Sequence, residues 1–339
     1  MSKVFIIAEA GANHNRDFKQ ALSLIDTAVN AGADAVKFQT YSSEALYSKN
    51  TPDFAGYQNI NKLIKDIELP RSWQKDLKAY CDDVGIEFMS TPFDEKAVDE
   101  LFNIGVKRFK ISGFEATDPR IVKKVASTKL PMIISAGIGT DISMVQTIID
   151  WITDENTDPD ITFLHCNHSY PTPFEDINLG QITKLKNHKF SEQIRVGLSD
   201  HTTGINVPPL AVALGASTIE KHFTISRDLP GPDHSFAIEP EELFSMVQRI
   251  RLASKCMGVK KSTVTKSEKS FIKATRSVVS KCDIKAGELI EIDHITTKRP
   301  YLENAIPARQ YYEIPSQYFA KRDIAQDEIM EWDDILRVV

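Results

Sequence analysis

The 339-residue chain has little cysteine: Cys81, Cys166, Cys256 and Cys282, with no CxxC pair among them. Four widely spaced cysteines argue for reduced thiols and against a disulfide framework. No apolar run approaches the roughly 18 residues of a membrane span. The opening MSKVFIIAEAG carries one lysine and an apolar stretch too short for a secretory core, so the cytoplasm is the expected location. Positive charge is not in excess. Lys and Arg number 41 against 47 Asp and Glu, a formal charge of −6, which speaks against a nucleic-acid surface. The basic stretch 260–273 is broken by Glu268 and by hydroxyl residues and reads as a solvated linker. Nor does a glycine-rich dinucleotide loop follow the first apolar run, because AEAGANHN holds a single glycine.

What is present is an alternation. Short β-rich runs lie at 4–11, 35–41, 87–93, 108–114, 131–137, 161–167, 195–201 and 217–224. Helical periodicity fills intervals between them, over Phe18–Ala31, Ser72–Tyr80, Lys96–Phe102, Arg120–Ala126, Met144–Trp151 and Glu241–Leu252. Asp118-Pro119 and Glu239-Pro240 read as helix starts. Eight strand–helix units over about 250 residues predict an α/β fold, a (β/α)8 barrel. The long interval after Tyr41 predicts an excursion near Lys49–Ile60, a candidate lid. The reading divides the chain into a barrel over 1–258, a polar linker over 259–276 and a small β-rich domain over 277–339. In the last, CDIKAGELIEIDHI (282–295) is echoed 40 residues later by RDIAQDEIMEWDDI (322–335), which predicts two similar β units folded together.

A barrel of this kind carries its active site at the C-terminal strand ends. Those ends present Glu9; Lys37 and Gln39; Thr91; Lys110, Ser112 and Glu115; Ser135; His168 and Tyr170; Ser199 and His201; Glu220 and His222. Several of these lie two apart, hence on one face of a strand. Polar side chains converging inward cannot all be core, since burial without partners costs several kcal/mol each. Two lysines among hydroxyls make a pocket for phosphate and carboxylate. His201 and His222, on the tips of neighbouring strands, are placed to share a divalent metal with open positions. His165 is expected to face the helices or the core, Cys166 to be a small buried apolar residue, and His14 to serve either a loop hydrogen bond or the site.

At these residues the chain resembles the sialic acid synthase family, which includes the N-acetylneuraminate, legionaminate and pseudaminate synthases. IAEAGANHN, AVKFQTY, FMSTPFD, FKISGFE, YPTPFEDINL, GLSDHT, IEKHFT and LPGPDH follow one another in that order. The tail SVVSKCDIKAGELIEIDHITTKRP resembles the antifreeze-like (SAF) domain that follows the barrel in this family. The resemblance implies condensation of phosphoenolpyruvate with an amino-sugar aldehyde and release of phosphate. His201 and His222 would hold Mn2+ or Mg2+, a Lewis acid for the aldehyde. Lys37, Thr91, Lys110, Ser112, Ser135 and Ser199 would bind phosphoenolpyruvate. Gln39, Glu115, Tyr170 and Asp233 would line the sugar subsite, joined by Arg299 from the partner subunit of a homodimer with exchanged SAF domains. Lys37, Lys110, Glu115 and Glu220 would be the catalytic groups, Glu115 moving protons and Glu220 supporting the metal region.

The sequence also departs from the family. Arg16 replaces the glycine after NHN, His168 stands where asparagine is common, the spacing in KISGFE differs, and YLENAIPARQYY replaces a glycine-rich stretch. LPGPDH favours N-acetylmannosamine or the diacetylated legionaminate precursor as acceptor. The alternatives are a pseudaminate synthase, another phosphoenolpyruvate-dependent aldol-type synthase acting on a sugar phosphate, or a non-catalytic sugar-acid binder.

Overall fold

Asp34, at the foot of the second strand, accepts a hydrogen bond from the Ile6 amide and an ion pair from Arg251, tying the start of the barrel to its last helix. In the computed structural model, which describes residues 3–53, 56, 58–188, 190, 194–258 and 264–338, the chain forms two compact units, Met1–Gly258 and Val259–Val339. The first unit runs β1 (Phe5–Glu9), α1 (Phe18–Ala31), β2 (Ala35–Thr40), α2 (Ser43–Leu46), α3 (Ile60–Ile67), α4 (Gln74–Val84), β3 (Glu87–Pro92), α5 (Glu95–Asn103) and β4 (Phe109–Ile111). It continues with α6 (Pro119–Ser127), β5 (Met132–Ala136), α7 (Ile142–Glu155), β6 (Ile161–Cys166), α8 (Gly180–Asn187), β7 (Arg195–Asp200), α9 (Val207–Ala213), β8 (Thr218–His222) and α10 (Pro240–Met257).

The eight strands are ordered β3-β2-β1-β8-β7-β6-β5-β4, and every ladder is parallel. Arg108 reaches across from the foot of β4 to Glu87 of β3 at 2.6 Å, where no ladder closes the ring. This is the (β/α)8 barrel that the alternation predicts. The strands end one to three residues earlier than the sequence runs suggest, β4 the most, at Ile111 instead of 114. Four helices that the periodicity did not mark are present: α2 and α3 in the excursion after β2, and α8 and α9 between later strands.

The core has two parts. The larger fills the space between strands and helices and includes Leu24, Ile25, Phe38, Phe88, Phe109, Phe163 and Ile219. The smaller lies inside the barrel: Ile7, Ala35, Met89, Ile133 and Leu164. Strand parity then carries each inward row upward from an apolar floor to a polar tip, Ile7 to Glu9, Ala35 to Lys37 and Gln39, Met89 to Thr91, Ile133 to Ser135. Gly197 of β7 sits in this packed interior, where a Cβ would stand 2.3 Å from the Thr218 carbonyl oxygen and 2.6 Å from Leu164. The loops above the tips end on aspartate caps. Asp17, Asp94, Asp118 and Asp141 accept amide hydrogens of the first turns of α1, α5, α6 and α7.

The excursion after β2 contains two helices, α2 and α3. Its remaining residues 54, 55 and 57 lie outside the described residues. Of the polar stretch 259–276, residues 259–263 also lie outside them, while Lys266–Ala274 forms a 3-10 helix opened by a Thr265–Glu268 capping box. The rest of the second unit is built on the 40-residue echo. β9 (Ser277–Ser280) pairs antiparallel with β10 (Ile295–Lys298), and β11 (Tyr318–Ala320) with β12 (Ile335–Arg337). The two halves bond reciprocally. Ile284 and Ile324 exchange amide–carbonyl bonds at 2.8 and 2.9 Å. The Ala286 amide donates to Asp323 and the Gln326 amide to Asp283. Ile284, Ile290 and Ile295 meet Ile324, Met330 and Ile335 in one core.

Candidate functional site

The tips of the barrel strands surround a cavity lined by Glu9, Lys37, Gln39, Thr91, Phe93, Lys110, Ser112, Gly113, Phe114, Ser135, Cys166, His168, Tyr170, Ser199, His201, Glu220 and His222. Eleven of the expected site residues are thus brought together: Lys37, Gln39, Thr91, Lys110, Ser112, Ser135, Tyr170, Ser199, His201, Glu220 and His222. Glu115 reaches this wall through a carboxylate–hydroxyl bond to Ser112. Asp233 is placed beside His222, Oδ2 lying 4.0 Å from Nδ1. Arg299 belongs to the second unit, directly after β10.

Charge alternates at the floor. Lys37 Nζ lies 2.8 Å from Glu9 Oε2 and 3.9 Å from Glu220 Oε1, and donates to Thr91 Oγ1 at 2.9 Å. Lys110 Nζ lies 3.6 Å from Glu220 Oε1 and donates to Ser135 Oγ at 2.8 Å. Ser199 donates to Glu220 at 3.2 Å and Gln39 to Glu9 at 2.9 Å. All four charged groups are buried. Burial pushes Glu9 up to about 7 against the pull of Lys37. Burial also raises Glu220, but Lys110 and Lys37 outweigh it and hold the carboxylate below its ordinary range. Lys37 loses by burial and gains more from Glu220 and Glu9, so it stays charged. Lys110, with a carboxylate only at 3.6 Å, is pulled below the usual lysine range by burial. Burial raises Glu115 and Asp233 likewise. The cluster has two cations and one firmly ionised carboxylate, so an added anion would be met by favourable charge.

The two histidines close the opposite wall, ring centroids 5.4 Å apart. His201 donates from Nδ1 to the Asn167 carbonyl at 2.7 Å, which leaves Nε2 with a free lone pair. His222 Nδ1 is buried without a hydrogen-bond partner, as is Glu220 Oε2. Burial holds His201 down at about 4 and His222 well below its ordinary value, so both rings are neutral. Neutral imidazoles with free lone pairs beside orphaned buried atoms suit a divalent cation. Among the described residues no three or more His, Cys, Asp or Glu side chains are arranged to hold a metal ion by themselves, so oxygen from water or substrate would have to complete such a site.

The sequence reading marked Glu9 as a strand-tip residue without giving it a role, yet it is the closest carboxylate to Lys37. His168, left open, lines the cavity. Its ring lies against Gly113 and Gly137, where a Cβ would come within 2.3 and 2.1 Å of it, and it stacks on Phe114 at 4.1 Å. Nδ1 accepts the Ile138 amide at 3.1 Å, and burial first, then His201 and Lys110, hold the ring at about 4. It is therefore a neutral Nε2–H donor. His14 is buried, accepts the Arg16 amide at 3.0 Å and takes the loop role of its two alternatives. Arg16 adopts φ 53°, the left-handed conformation that a glycine there would favour. His165 faces away from the cavity and bonds the Ile177 carbonyl at 2.6 Å, and Cys166 is buried, its thiol pushed up to about 11 by burial.

The comparisons with known proteins agree with this geometry. Residues 24–262 match the NeuB family model and residues 275–336 the SAF domain model. N,N'-diacetyllegionaminic acid synthase of Campylobacter jejuni is 37% identical over 97% of this chain and 99% of its own. Pseudaminic acid synthase of the same species is 35% identical, over 88% of each. The solved structure of N-acetylneuraminic acid (sialic acid) synthetase from Leptospira borgpetersenii superposes with a TM-score of 0.73 at 35% identity, over 80% of this chain and 91% of that one. With a family match across most of the barrel and relatives aligned nearly end to end, the chain belongs to the NeuB family.

Proposed function

We propose that this chain condenses phosphoenolpyruvate with an N-acetylated amino-sugar, either N-acetylmannosamine or the diacetylated legionaminate precursor, and releases phosphate. The observation that carries the proposal is the pair of buried lysines, Lys37 and Lys110, sharing Glu220 at 3.9 and 3.6 Å within a ring of hydroxyls. A small multivalent anion would complete their charge. In the proposed reaction C3 of phosphoenolpyruvate attacks the sugar aldehyde, water adds at C2, and the C2–O bond to phosphate breaks, so that the products are the nonulosonic acid and inorganic phosphate. Lys37, Thr91, Lys110, Ser112, Ser135 and Ser199 would bind the phosphate and carboxylate and hold their charge as it shifts. Gln39, Tyr170, Asp233 and Glu115 would orient the sugar, with Arg299 joining from a partner subunit. Glu115, kept protonated longer by burial, would carry the proton at its carboxyl oxygen. His201 and His222 would hold Mn2+ or Mg2+, which when bound supplies Lewis-acid polarisation of the aldehyde oxygen.

The test is phosphate release from phosphoenolpyruvate with Mn2+ and a panel of acceptors, including the pseudaminate precursor and a sugar phosphate. Release with one amino-sugar, abolished by EDTA and by His222→Ala, is the expected result. Release with a sugar phosphate alone would replace this acceptor reading, and absence of phosphoenolpyruvate binding would overturn it.

A further inference from the structure

Behind the two histidines, on the opposite face of their strands, lies a charge pair to which the proposed reaction gives no task. Asp200 and Lys221 directly precede His201 and His222 and are register partners in the β7–β8 ladder. Their side chains are 0% and 2% exposed, and Lys221 Nζ stands 2.7 Å from Asp200 Oδ2. The other carboxylate oxygen accepts both the amide and the hydroxyl of Thr202, at 3.0 and 2.8 Å. Lys221 also donates to the Thr202 carbonyl. The residue after His201 is therefore held by the residue before it and by the residue before His222. A bond from the Thr172 amide to the His201 carbonyl, at 2.9 Å, fastens the same backbone from the other side.

Stability does not explain this arrangement. Burying two ions costs several kcal/mol each, and an apolar pair of similar volume is often as stable or more so. What the ion pair supplies is a fixed link between two strand tips that each carry a histidine. We infer that Asp200 and Lys221 are positioning residues that set the separation of His201 and His222 for a divalent cation. The inference rests on the reading of those histidines as a metal pair.

The test measures Mn2+ binding to the full-length, metal-stripped protein by the electron paramagnetic resonance signal of free Mn2+, alongside thermal unfolding. Lys221→Met strands a buried carboxylate and is expected to weaken both binding and folding. Asp200→Asn/Lys221→Met keeps the Asx bonds to Thr202 without a stranded charge. It is expected to unfold near the wild-type midpoint while binding Mn2+ roughly 10–100-fold more weakly, the cost typical of a lost outer-shell partner. At saturating Mn2+ its phosphate release recovers, whereas that of His222→Ala does not. An affinity within twofold of wild type in the folded double variant would overturn the positioning role and leave the metal reading intact. Wild-type protein that binds no Mn2+, or binds it equally well after His222→Ala, would overturn both.

Discussion

Replacing Gly137 by alanine is a direct test of the slot that holds His168. The new methyl carbon would lie 2.1 Å from Cε1 and 2.5 Å from Nδ1 of the ring, and Gly113 and Phe114 limit the escape routes. The ring has to move by roughly 1.5 Å, since carbon–carbon contacts are comfortable only near 3.5–4.0 Å. Overpacking of this kind costs about 1–3 kcal/mol. The ring also gives up its bond from the Ile138 amide, worth about 0.5–1.5 kcal/mol. Together these place Gly137→Ala about 2–4 kcal/mol below wild type. The assay is urea unfolding of the barrel transition for wild type, Gly137→Ala, His168→Ala and the double variant. In the His168→Ala background the methyl group no longer meets the ring, so most of its cost should vanish and the cycle should show a coupling above about 1 kcal/mol. Additivity within about 0.5 kcal/mol would refute the slot. In the same series, Gly137→Ala should raise the KM for phosphoenolpyruvate, because the displaced ring no longer offers Nε2–H to the anion pocket.

Other substitutions follow from single contacts. Gly11→Ala puts a methyl 2.7 Å from Asp233 Oδ2 and 3.3 Å from the His222 ring, in a left-handed backbone at φ 50°. Under the proposed function, displacement of Asp233 and His222 by about an ångström costs on the order of 100-fold, read as kcat/KM for phosphate release. Arg16→Gly relieves the left-handed strain at φ 53° and should raise stability by up to about 1 kcal/mol in urea titrations, less the value of its bond to the Lys65 carbonyl. His165 is held below its ordinary value by burial, so the unfolded chain binds its proton first as pH falls below about 6.5. Its share of stability is complete above that pH and is lost below it. His165→Gln should therefore lose less of its thermal midpoint than wild type between pH 7.5 and 5.5.

The barrel could be read from the sequence because its strands are apolar runs with local punctuation, and helix caps such as Asp118-Pro119 are local too. Four helices escaped notice, the short α2 and α3 of the excursion and also α8 and α9, the last two for local reasons. α9 begins VPPL, with prolines that look like breakers but occupy first-turn positions, and α8 is a polar GQITKLKN with a narrow apolar stripe. Site residues on strand tips were legible by parity. His168 was among them by position, but its role was not legible, because its slot is made by Gly113 and Gly137, on the loops of two other strands. Asp200 and Lys221 read as ordinary charges until the β7–β8 register brings them opposite each other. Glu9's role depends on the β1–β2 register that sets it opposite Lys37, which no short window of sequence contains.

The reciprocal bonding of the second unit makes the chain its own control. Its halves relate as two subunits of an isologous dimer do, with amide hydrogen bonds recurring, roles exchanged, at Ile284 and Ile324 and at Ala286 and Gln326. Gly287 and Asp327 occupy the same corner of the two copies, at φ 83° and 69°, and their amides donate to the matching carbonyls of Ala320 and Ser280 at 2.7 and 3.0 Å. One copy turns that corner with glycine and the other with a side chain that pairs with Lys298. Exchanging the two residues would leave composition and the two backbone angles unchanged but remove the pair with Lys298, so the difference in stability between original and exchanged proteins would measure how far a corner's surroundings, and not its backbone angle, decide which residue belongs there.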